Sequence, residues 1–344
     1  MSQPEVRPTV IYVTGGWGVH DTRWVGALEA CDLAVVVCHD PQEVADLVLK
    51  HDAVGVLAGP LFTVTQHIGQ LTVPLIGLSW GFDLNEELPK LPVSSDTTWL
   101  QGLAGLIVDS YATRDTALSL GVDQARIWVI PWGVDLKLFT PDGPAIGAID
   151  HEFDNRSRVV LSLRTHDDLY RTADVIEAFA VAALAAPDLA LVMGGAGALT
   201  GAHEARISEL GLSSRFRLLG QVPEANLPAY LRGCDVYVTA SQSDGTSVTL
   251  LQAMACGAPV IASANAGNAQ WVTDGVTGQT FPVGDVFALA KLLIDCGRNP
   301  KSLAAAERAH KLVVDKADWA KNCLLLRSIL GPARTSSAPG QGGV

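Results

Sequence analysis

The chain has 344 residues, 48% of them hydrophobic, with a formal net charge of −12 and a pI of about 5.0. This length is enough for two domains of ordinary size that each bury their own core. The acidic balance excludes a basic groove of the kind that holds nucleic-acid phosphates, so no nucleic-acid partner is expected. Contact with an anionic membrane through a polybasic patch is equally unsupported.

Two further features bear on location and redox chemistry. No apolar run approaches the roughly 18 residues that span a bilayer, and residues 1–8 lack the basic and then apolar design of a signal peptide. We therefore expect a cytoplasmic location. The six cysteines are scattered without CxxC spacing, mostly inside apolar segments, which favours buried free thiols over a metal or disulfide role.

Strand-like and helix-like segments alternate from residue 9 onwards, a pattern typical of parallel sheets covered by helices. In the first half, the predicted strands are 9–14, 33–38, 53–59, 74–80, 105–110 and 127–132, and the predicted helices are 22–31 and 42–51. In the second half, the predicted strands are 158–163, 189–195, 216–220, 236–240 and 259–263, and the predicted helices are 172–184, 203–210, 227–234 and one that begins near Ser247.

A passage rich in Pro, Gly and Asp separates the two alternations and is typical of a linker. The predicted organisation is an N-terminal Rossmann-like domain over 1–140, a linker over 141–154, a C-terminal Rossmann-like domain over 155–312, a helix over 313–330 that packs back toward the N-terminal domain, and a disordered tail over 331–344. The predicted fold class is α/β, with two doubly wound domains that face each other across a cleft. Ligands are expected at the carboxyl ends of the strands.

The segment SDGTSVTLLQ at 243–252 combines a glycine turn with the start of a helix. The backbone N–H groups of Gly245, Thr246 and Ser247 can converge there on an anion, with help from the helix dipole. Asp244 precedes the turn and Gln252 follows eight residues later, so the two reach different parts of an extended ligand. This arrangement predicts a diphosphate site.

Arg164 and an N-terminal glycine turn are the other candidates. Arg164 follows the apolar run VVLSL at the end of a predicted strand, where a buried cation needs a partner. Gly15, Gly16 and Gly18 form a GGxG turn after the first strand, a pattern that is equally typical of an ordinary strand-to-helix connection.

Together with IPWGVDLKLF at 130–139 and FRLLGQVPEANLPAYLRGCDVYVTAS at 216–241, these segments resemble, in order, the retaining glycosyltransferases of family 4, which have the GT-B fold. The resemblance covers most of residues 130–285. Arg164 matches the family's Arg, whereas Asp244 and Gln252 stand where the family has two glutamates. Tyr170 stands at the place of a Lys, and Trp80 at the place of a His.

The resemblance implies transfer of a sugar, with retention of configuration, from a nucleotide-diphosphate sugar to a small-molecule, lipid-linked or glycan acceptor. It implies that no metal or cofactor takes part, because the leaving diphosphate itself helps to deprotonate the acceptor. Such chemistry needs charge stabilisation on the diphosphate and positioning of the sugar. Arg164 and Arg171 would supply the first, Asp244 the second, and Gln252 would bind the ribose.

The resemblance also assigns candidate residues. The catalytic candidates are Arg164, Asp244, His20 and Asp83. The donor-binding candidates are Gly15, Gly16, Gly18, Tyr170, Arg171, Gly194, Gln221, Val222, Gly245, Thr246, Ser247 and Gln252, with no metal ligands. Asp21 and Arg23 are expected to face the cleft beside His20. Trp80 and Trp17 are either packing residues or a platform for a sugar or an apolar acceptor.

Two other classes of protein stay open. The absence of the family's His, Lys and both glutamates favours a partner or regulatory protein without transferase activity, whereas Arg164 and the glycine turn favour an enzyme. A nucleotide-sugar epimerase or hydrolase on the same fold would need a carboxylate or His cluster at the sugar. A P-loop or NAD enzyme is excluded, because GxxxxGK[ST] is missing and GGWG lacks the full dinucleotide pattern.

Overall fold

The computed structural model of the protein describes residues 7–92, 94–147, 149–296 and 300–330. The strands of the first sheet are β1 Thr9–Val13, β2 Ala34–Cys38, β3 Gly55–Ala58, β4 Leu75–Leu78, β5 Gly105–Val108 and β6 Ile127–Val129. The strands of the second sheet are β7 Arg158–Leu163, β8 Leu189–Gly194, β9 Phe216–Leu218, β10 Val236–Thr239, β11 Val260–Ser263 and β12 Gln279–Phe281.

The α-helices cover the faces of these sheets. They are α1 Val19–Ala30, α2 Val44–Lys50, α3 Tyr111–Ser119, α4 Thr172–Ala185, α5 Thr200–Glu209, α6 Leu227–Gly233, α7 Val248–Ala255, α8 Ala266–Ala269, α9 Val286–Asp295, α10 Pro300–Lys316 and α11 Trp319–Leu330.

Both sheets are parallel and doubly wound. Their strand orders are β2-β1-β3-β4-β5-β6 and β12-β11-β10-β7-β8-β9. In the second sheet the chain moves outward through β8 and β9, then returns to pair β10 with the other side of β7. Connections that leave neighbouring strands in opposite directions open a crevice at the carboxyl ends of those strands. In the second sheet, this switch point lies between β7 and β10.

The strands of the second sheet read as continuous apolar runs because both faces of the sheet are covered. All residues of β7 and β8 are buried. Consecutive side chains point to opposite faces. Leu191 thus packs in one core with Phe179 of α4, and Val192 packs in the other with Leu250 of α7. The loops at the strand ends are therefore held on a rigid frame.

Each strand predicted from the sequence is present, with ends that differ by up to three residues. The elements that were not predicted include the helices α3, α8 and α9 and the short strand β12. The predicted helix over 313–330 is wrong in its extent, because residues up to Lys316 belong to α10 and α11 begins at Trp319. The break arises where Val134 bonds to Ala317 and Trp319 through backbone hydrogen bonds of 2.7 and 3.1 Å.

The last helix, α11, lies against α1 of the first sheet's domain. The rings of Trp24 and Trp319 are 5.5 Å apart, and the Cys31 thiol lies 3.1 Å from the carbonyl oxygen of Cys323. The predicted tail at 331–344 lies outside the described residues, and the predicted domain boundaries stay predictions. All six cysteines are free and buried, in agreement with their spacing.

Candidate active site

Arg164 lies at the carboxyl end of β7, beside the switch point of the second sheet. Its side chain is 9% exposed, and its Nη2 donates to Oδ2 of Asp244 at 2.5 Å. Its Nη1 donates to Oγ of Ser247 at 2.7 Å, and its guanidinium lies 4.1 Å from the ring centroid of Tyr170. Burial is the largest single influence and acts to lower the pKa of Arg164, but Asp244, Tyr237 and Tyr170 together outweigh it and the net shift is upward. The guanidinium is therefore a fixed positive charge.

The amino end of α7 points into the same region. Ser247 is the N-cap residue of α7, and the first N–H groups of a helix have no partner within it. These amides, the helix dipole and Arg164 together create an electropositive point. Nε of Arg164 has no hydrogen-bond partner among the described residues, so one buried donor is left for a ligand. This point suits an anion with several oxygens.

A first cavity, of about 260 Å³, lies within the C-terminal domain on one side of Arg164. It is lined by Leu163, Arg164, Thr165, Tyr170, Gly194, Gly195, Gln221, Val222, Leu227 and Thr249. A β-carbon at Gly194 would lie 2.6 Å from the end of the Leu163 side chain, so the packing there is close. Five of the residues predicted to bind the donor, or to act on it, therefore line one pocket: Arg164, Tyr170, Gly194, Gln221 and Val222.

A second cavity, of about 280 Å³, lies between the two domains. It is lined by His20, Trp80, Phe82, Glu86, Asp109, Trp132, Leu169, Tyr170, Ser243, Asp244, Gly245 and Thr246. Tyr170 lines both cavities, so the two adjoin beside the Arg164–Asp244 ion pair. The predicted residues His20, Asp244, Gly245 and Thr246 meet in this second space.

Asp109 lines the second cavity and was not predicted from the sequence. It directly follows β5, is 3% exposed, and accepts a hydrogen bond from Oγ1 of Thr113 at 2.9 Å through Oδ1. Its Oδ2 has no partner among the described residues. Burial raises the pKa of Asp109 to about 7, with Asp83 and Asp244 adding to the rise. One feature of the sequence could have indicated Asp109 as a site residue. Like Arg164, it is a charged residue that directly follows an apolar strand.

The two domains touch at Asp109. Oγ1 of Thr246 donates to the Asp109 carbonyl oxygen at 2.9 Å, and a β-carbon at Gly245 would collide with the Asp109 carboxylate. A second bond joins the Tyr111 amide to Oε1 of Gln270 at 2.9 Å. The turn before α7 therefore faces both the electropositive point and the opposite domain.

His20 stands in an aromatic wall of the second cavity. Its ring lies 4.3 Å from the Trp132 ring and 5.7 Å from the Trp80 ring, centroid to centroid. Desolvation among these rings lowers the pKa of His20, and the nearby Arg23 charge lowers it further. The imidazole is thus uncharged near neutral pH.

Asp21 and Arg23 do not join His20 in lining either cavity, contrary to expectation. Asp21 is buried and accepts hydrogen bonds from the Tyr12 hydroxyl at 2.9 Å and from the Gly18 amide at 2.7 Å. Arg23 packs over the Trp319 ring at 4.8 Å and donates to the Gly133 carbonyl oxygen. Both side chains point into the fold because their partners lie there.

Asp83 is fully buried and lines neither cavity. Its carboxylate accepts from Oγ of Ser79 at 2.5 Å and from the amides of Leu61 and Leu84 at 3.1 and 2.9 Å. The amide of Trp80 also donates to it, at 3.3 Å. Asp83 therefore fixes the turn that presents Trp80 to the cavity.

The remaining candidates lie around the two cavities without lining them. Gly15 and Gly16 are exposed, and the Gly18 amide is held by Asp21. Nε of Arg171 is bound to Oδ2 of Asp174 at 2.7 Å. Gln252 is 5% exposed and its Oε1 has no partner among the described residues.

The described ranges contain neither a metal-binding cluster nor a membrane-spanning helix. Within them, no three or more His, Cys, Asp or Glu side chains form a group able to hold a metal ion. None of the helices so described is long and apolar enough to cross a bilayer. The cytoplasmic location stays a prediction.

Two facing doubly wound domains with an electropositive point at the switch of the C-terminal sheet define the GT-B class of folds. Solved structures share this architecture. HepE of Anabaena in complex with UDP and glucose has a TM-score of 0.72 and 18% identity, over 94% of this chain and 99% of that chain. Sucrose-phosphate synthase of Thermosynechococcus elongatus has a TM-score of 0.73 and 18% identity, over 94% and 98%.

Residues 149–312 match the model of the family described as Glycosyl transferases group 1. This part of the chain, just under half of its length, is similar to that family, in agreement with the resemblance drawn from its motifs. The altered acidic pair, Asp244 and Gln252, is a property of this chain that the match leaves untested.

Curated relatives carry glycosyltransferase names. D-inositol 3-phosphate glycosyltransferase of Paenarthrobacter aurescens is 30% identical over 205 residues, 55% of this chain and 48% of the relative. GDP-mannose-dependent alpha-(1-6)-phosphatidylinositol monomannoside mannosyltransferase of Mycolicibacterium smegmatis is 26% identical over 231 residues, 64% and 60% of the two chains. The matches span about half to three fifths of the relatives' length.

Proposed function

We propose that the protein transfers a sugar from a nucleotide-diphosphate sugar to an acceptor hydroxyl, with retention of configuration. The observation that carries the proposal is the buried Arg164 beside the amino end of α7, between one cavity inside the C-terminal domain and one that reaches the N-terminal domain. The first cavity suits the nucleoside, the electropositive point the diphosphate, and the second cavity the sugar and the acceptor. Relatives named as glycosyltransferases support this use of the site.

In this proposal Arg164 and the α7 amides stabilise the negative charge that grows on the leaving diphosphate. Fixed donors in a site with little water stabilise such charge strongly, because they need no reorganisation during the reaction. The anomeric carbon loses its bond to the diphosphate oxygen and gains one to the acceptor oxygen on the same face. The acceptor proton passes to the departing diphosphate oxygen, so no separate strong base is needed and no metal takes part.

Asp244 has two partners to satisfy in this proposal. In the structure, Oδ2 of Asp244 accepts a hydrogen bond from Nη2 of Arg164 at 2.5 Å. The Asp244 side chain is 13% exposed. When a diphosphate shares Arg164, the Asp244 carboxylate can keep one of its bonds and accept a sugar hydroxyl with its other oxygen. The shorter reach of Asp relative to Glu would place the sugar closer to the turn before α7.

The direct test is incubation with a panel of UDP-, GDP- and ADP-sugars, with chromatography of the released nucleotide and NMR of the product anomer. We expect release from at least one donor, unchanged by EDTA, and a product with the donor's anomeric configuration. Release that EDTA abolishes contradicts metal independence, and an inverted product contradicts retention. A folded protein that binds nucleotide but cleaves no donor in the panel would instead support the partner or regulatory class.

A further inference from the structure

The second cavity has two unlike halves. Asp244, Gly245 and Thr246 of the C-terminal domain form the half beside Arg164, where the transferred sugar lies in the proposed function. The opposite half is built by the N-terminal domain, from the aromatic wall around His20 and from Glu86 and Asp109. Because the donor takes up the half beside Arg164 in the proposed function, the half built by the N-terminal domain is left for the acceptor. That placement rests on the proposed function.

The charges of this subsite are negative or absent. Among the described residues that line the cavity there is no Lys or Arg, while Glu86, Asp109 and Asp244 are acids. Arg164 is outside the lining and is bound to Asp244 and Ser247, and Arg23 packs against Trp132 and Trp319. Glu86 has no ion pair within the described ranges. A phosphate or carboxylate on the acceptor would be repelled by these acids, while Arg164 is taken up by Asp244 and, in the proposed function, by the donor diphosphate.

The apolar surface of the subsite is a set of rings. Trp80 and Phe82 lie at 6.3 Å and 75°, and His20 bridges from Trp80 to Trp132. Phe82 is 36% exposed although it is a large apolar side chain, and Nε1 of Trp80 is buried with no partner in the described structure. Aromatic side chains pack favourably against another ring in offset-stacked or edge-to-face geometry, so this wall suits a flat ring.

Asp109 is a buried acid in the wall of the subsite. The residue is 3% exposed, and its Oδ2 has no hydrogen-bond partner in the described ranges. Gly81 and Gly245 pack against this oxygen, since a β-carbon at either position would collide with it. Asp109 therefore adds to the acidic character of the wall without offering an open bonding position.

We infer that the acceptor is an uncharged, hydroxyl-bearing molecule with a flat apolar ring, which packs its ring on Trp80 and Phe82. The relatives named for D-inositol 3-phosphate or for phosphatidylinositol compounds therefore differ from this chain in the charge of the acceptor that the site selects. The aromatic ring of the acceptor and its lack of charge are separate requirements, and a different compound tests each of them.

The experiment compares three compounds in ligand-observed NMR titrations of the full chain. 4-Nitrophenyl β-D-glucoside is neutral and carries a ring, 4-nitrophenyl β-D-glucuronide adds one carboxylate, and methyl β-D-glucoside lacks the aryl ring. We expect the first to bind about tenfold more tightly than either of the others. Equal or tighter binding of the glucuronide overturns the charge requirement. Equal binding of the methyl glucoside overturns the ring requirement, and binding of none of the three overturns the inference as a whole.

A charge reversal in the subsite provides the matched variant. Glu86→Lys should narrow or reverse the preference for the glucoside over the glucuronide, whereas Glu29→Lys, an exposed acid in the last turn of α1, should leave it unchanged. If Glu86→Lys leaves the preference for the glucoside unchanged, or if Glu29→Lys changes it equally, the assignment of this wall to the acceptor is contradicted. Cleavage of nucleotide-sugar without acceptor is measured in parallel, so failure of the proposed function shows separately from failure of this inference.

Discussion

Arg164 is a charged side chain that the fold buries at one specific place, and that place explains its use. It follows the last apolar residue of β7, where the switch point of the sheet leaves room for a ligand. Its charge is stabilised by Asp244 and by the Tyr170 ring, 4.1 Å away. The combination keeps a guanidinium fixed and only partly satisfied, as binding of an anion requires.

Asp109 gives a pH-dependent prediction. Its pKa is raised from 3.8 to about 7 by burial, by Asp83 and by Asp244, while the Thr113 hydroxyl opposes the rise. Because the folded pKa lies above the unfolded one, the stabilisation from the uncharged carboxyl is fully present below pH 3.8 and is lost as the pH rises through about 7. As the pH rises from 4 to 7, the free energy of unfolding of Asp109→Asn should therefore increase by up to about 4 kcal/mol relative to that of the wild type.

The measurement is the melting temperature of both proteins from pH 4 to pH 9. The expected result is a difference that favours Asp109→Asn increasingly up to about pH 7 and then stays level. A difference that does not depend on pH would show that Asp109 is ionised throughout this range. Thr113→Val provides a matched control, because it removes the one side-chain bond that favours the ionised form.

Gln252 gives a prediction about nucleotide binding. Its Oε1 is buried without a partner in the described structure, on the helix whose amino end would face the diphosphate in the proposed function. Gln252→Glu should tighten binding of a nucleoside diphosphate about fivefold, because a carboxylate accepts hydroxyl bonds more strongly than an amide does. It should also lower the melting temperature of the free protein, since the carboxylate is then buried without a cation. Calorimetry that shows looser binding in the variant would contradict the ribose role.

At the level of elements, the sequence predicts what apolar patterns and glycine turns control. The strands follow their apolar runs, and the turn before α7 was placed correctly because a glycine, a polar pair and a helix share one short segment. The break between α10 and α11 could not be predicted, since it depends on backbone bonds to Val134, far away in the chain. The helix α9 was not predicted, although its amphipathic pattern is visible in the sequence.

The turn before α7 gives a prediction about contact between the domains. A β-carbon at Gly245 would collide with the Asp109 carboxylate, so Gly245→Ala should cost about 1–3 kcal/mol through overpacking. Replacing the carboxylate as well, in the double variant with Asp109→Ala, should restore most of that loss. Urea unfolding of the two single variants and the double variant measures the coupling. Additive effects would show that the two residues do not touch in solution.

At the level of the whole molecule, the site is a product of two domains that the sequence describes separately. Tyr170, Gly194, Gln221 and Val222, which the sequence predicts as donor-binding residues, line one pocket, because they lie at or beyond the carboxyl ends of neighbouring strands. Their role in donor binding stays a prediction. Asp109 was not predicted as a site residue, because the residue that it contacts across the cleft, Gly245, belongs to the other domain. Asp21 and Arg23 were misplaced for the converse reason, since their partners lie within their own domain and at α11.

The central claim is that Arg164 and the amino end of α7 hold the leaving diphosphate of a nucleotide-sugar. The most direct measurement is the rate of nucleotide release from the preferred donor by the wild type, by Arg164→Lys and by Arg164→Ala, with circular dichroism to confirm folding. The account predicts a loss of about 10²–10³-fold in Arg164→Ala and partial retention in Arg164→Lys. Release by folded Arg164→Ala at the wild-type rate would contradict it.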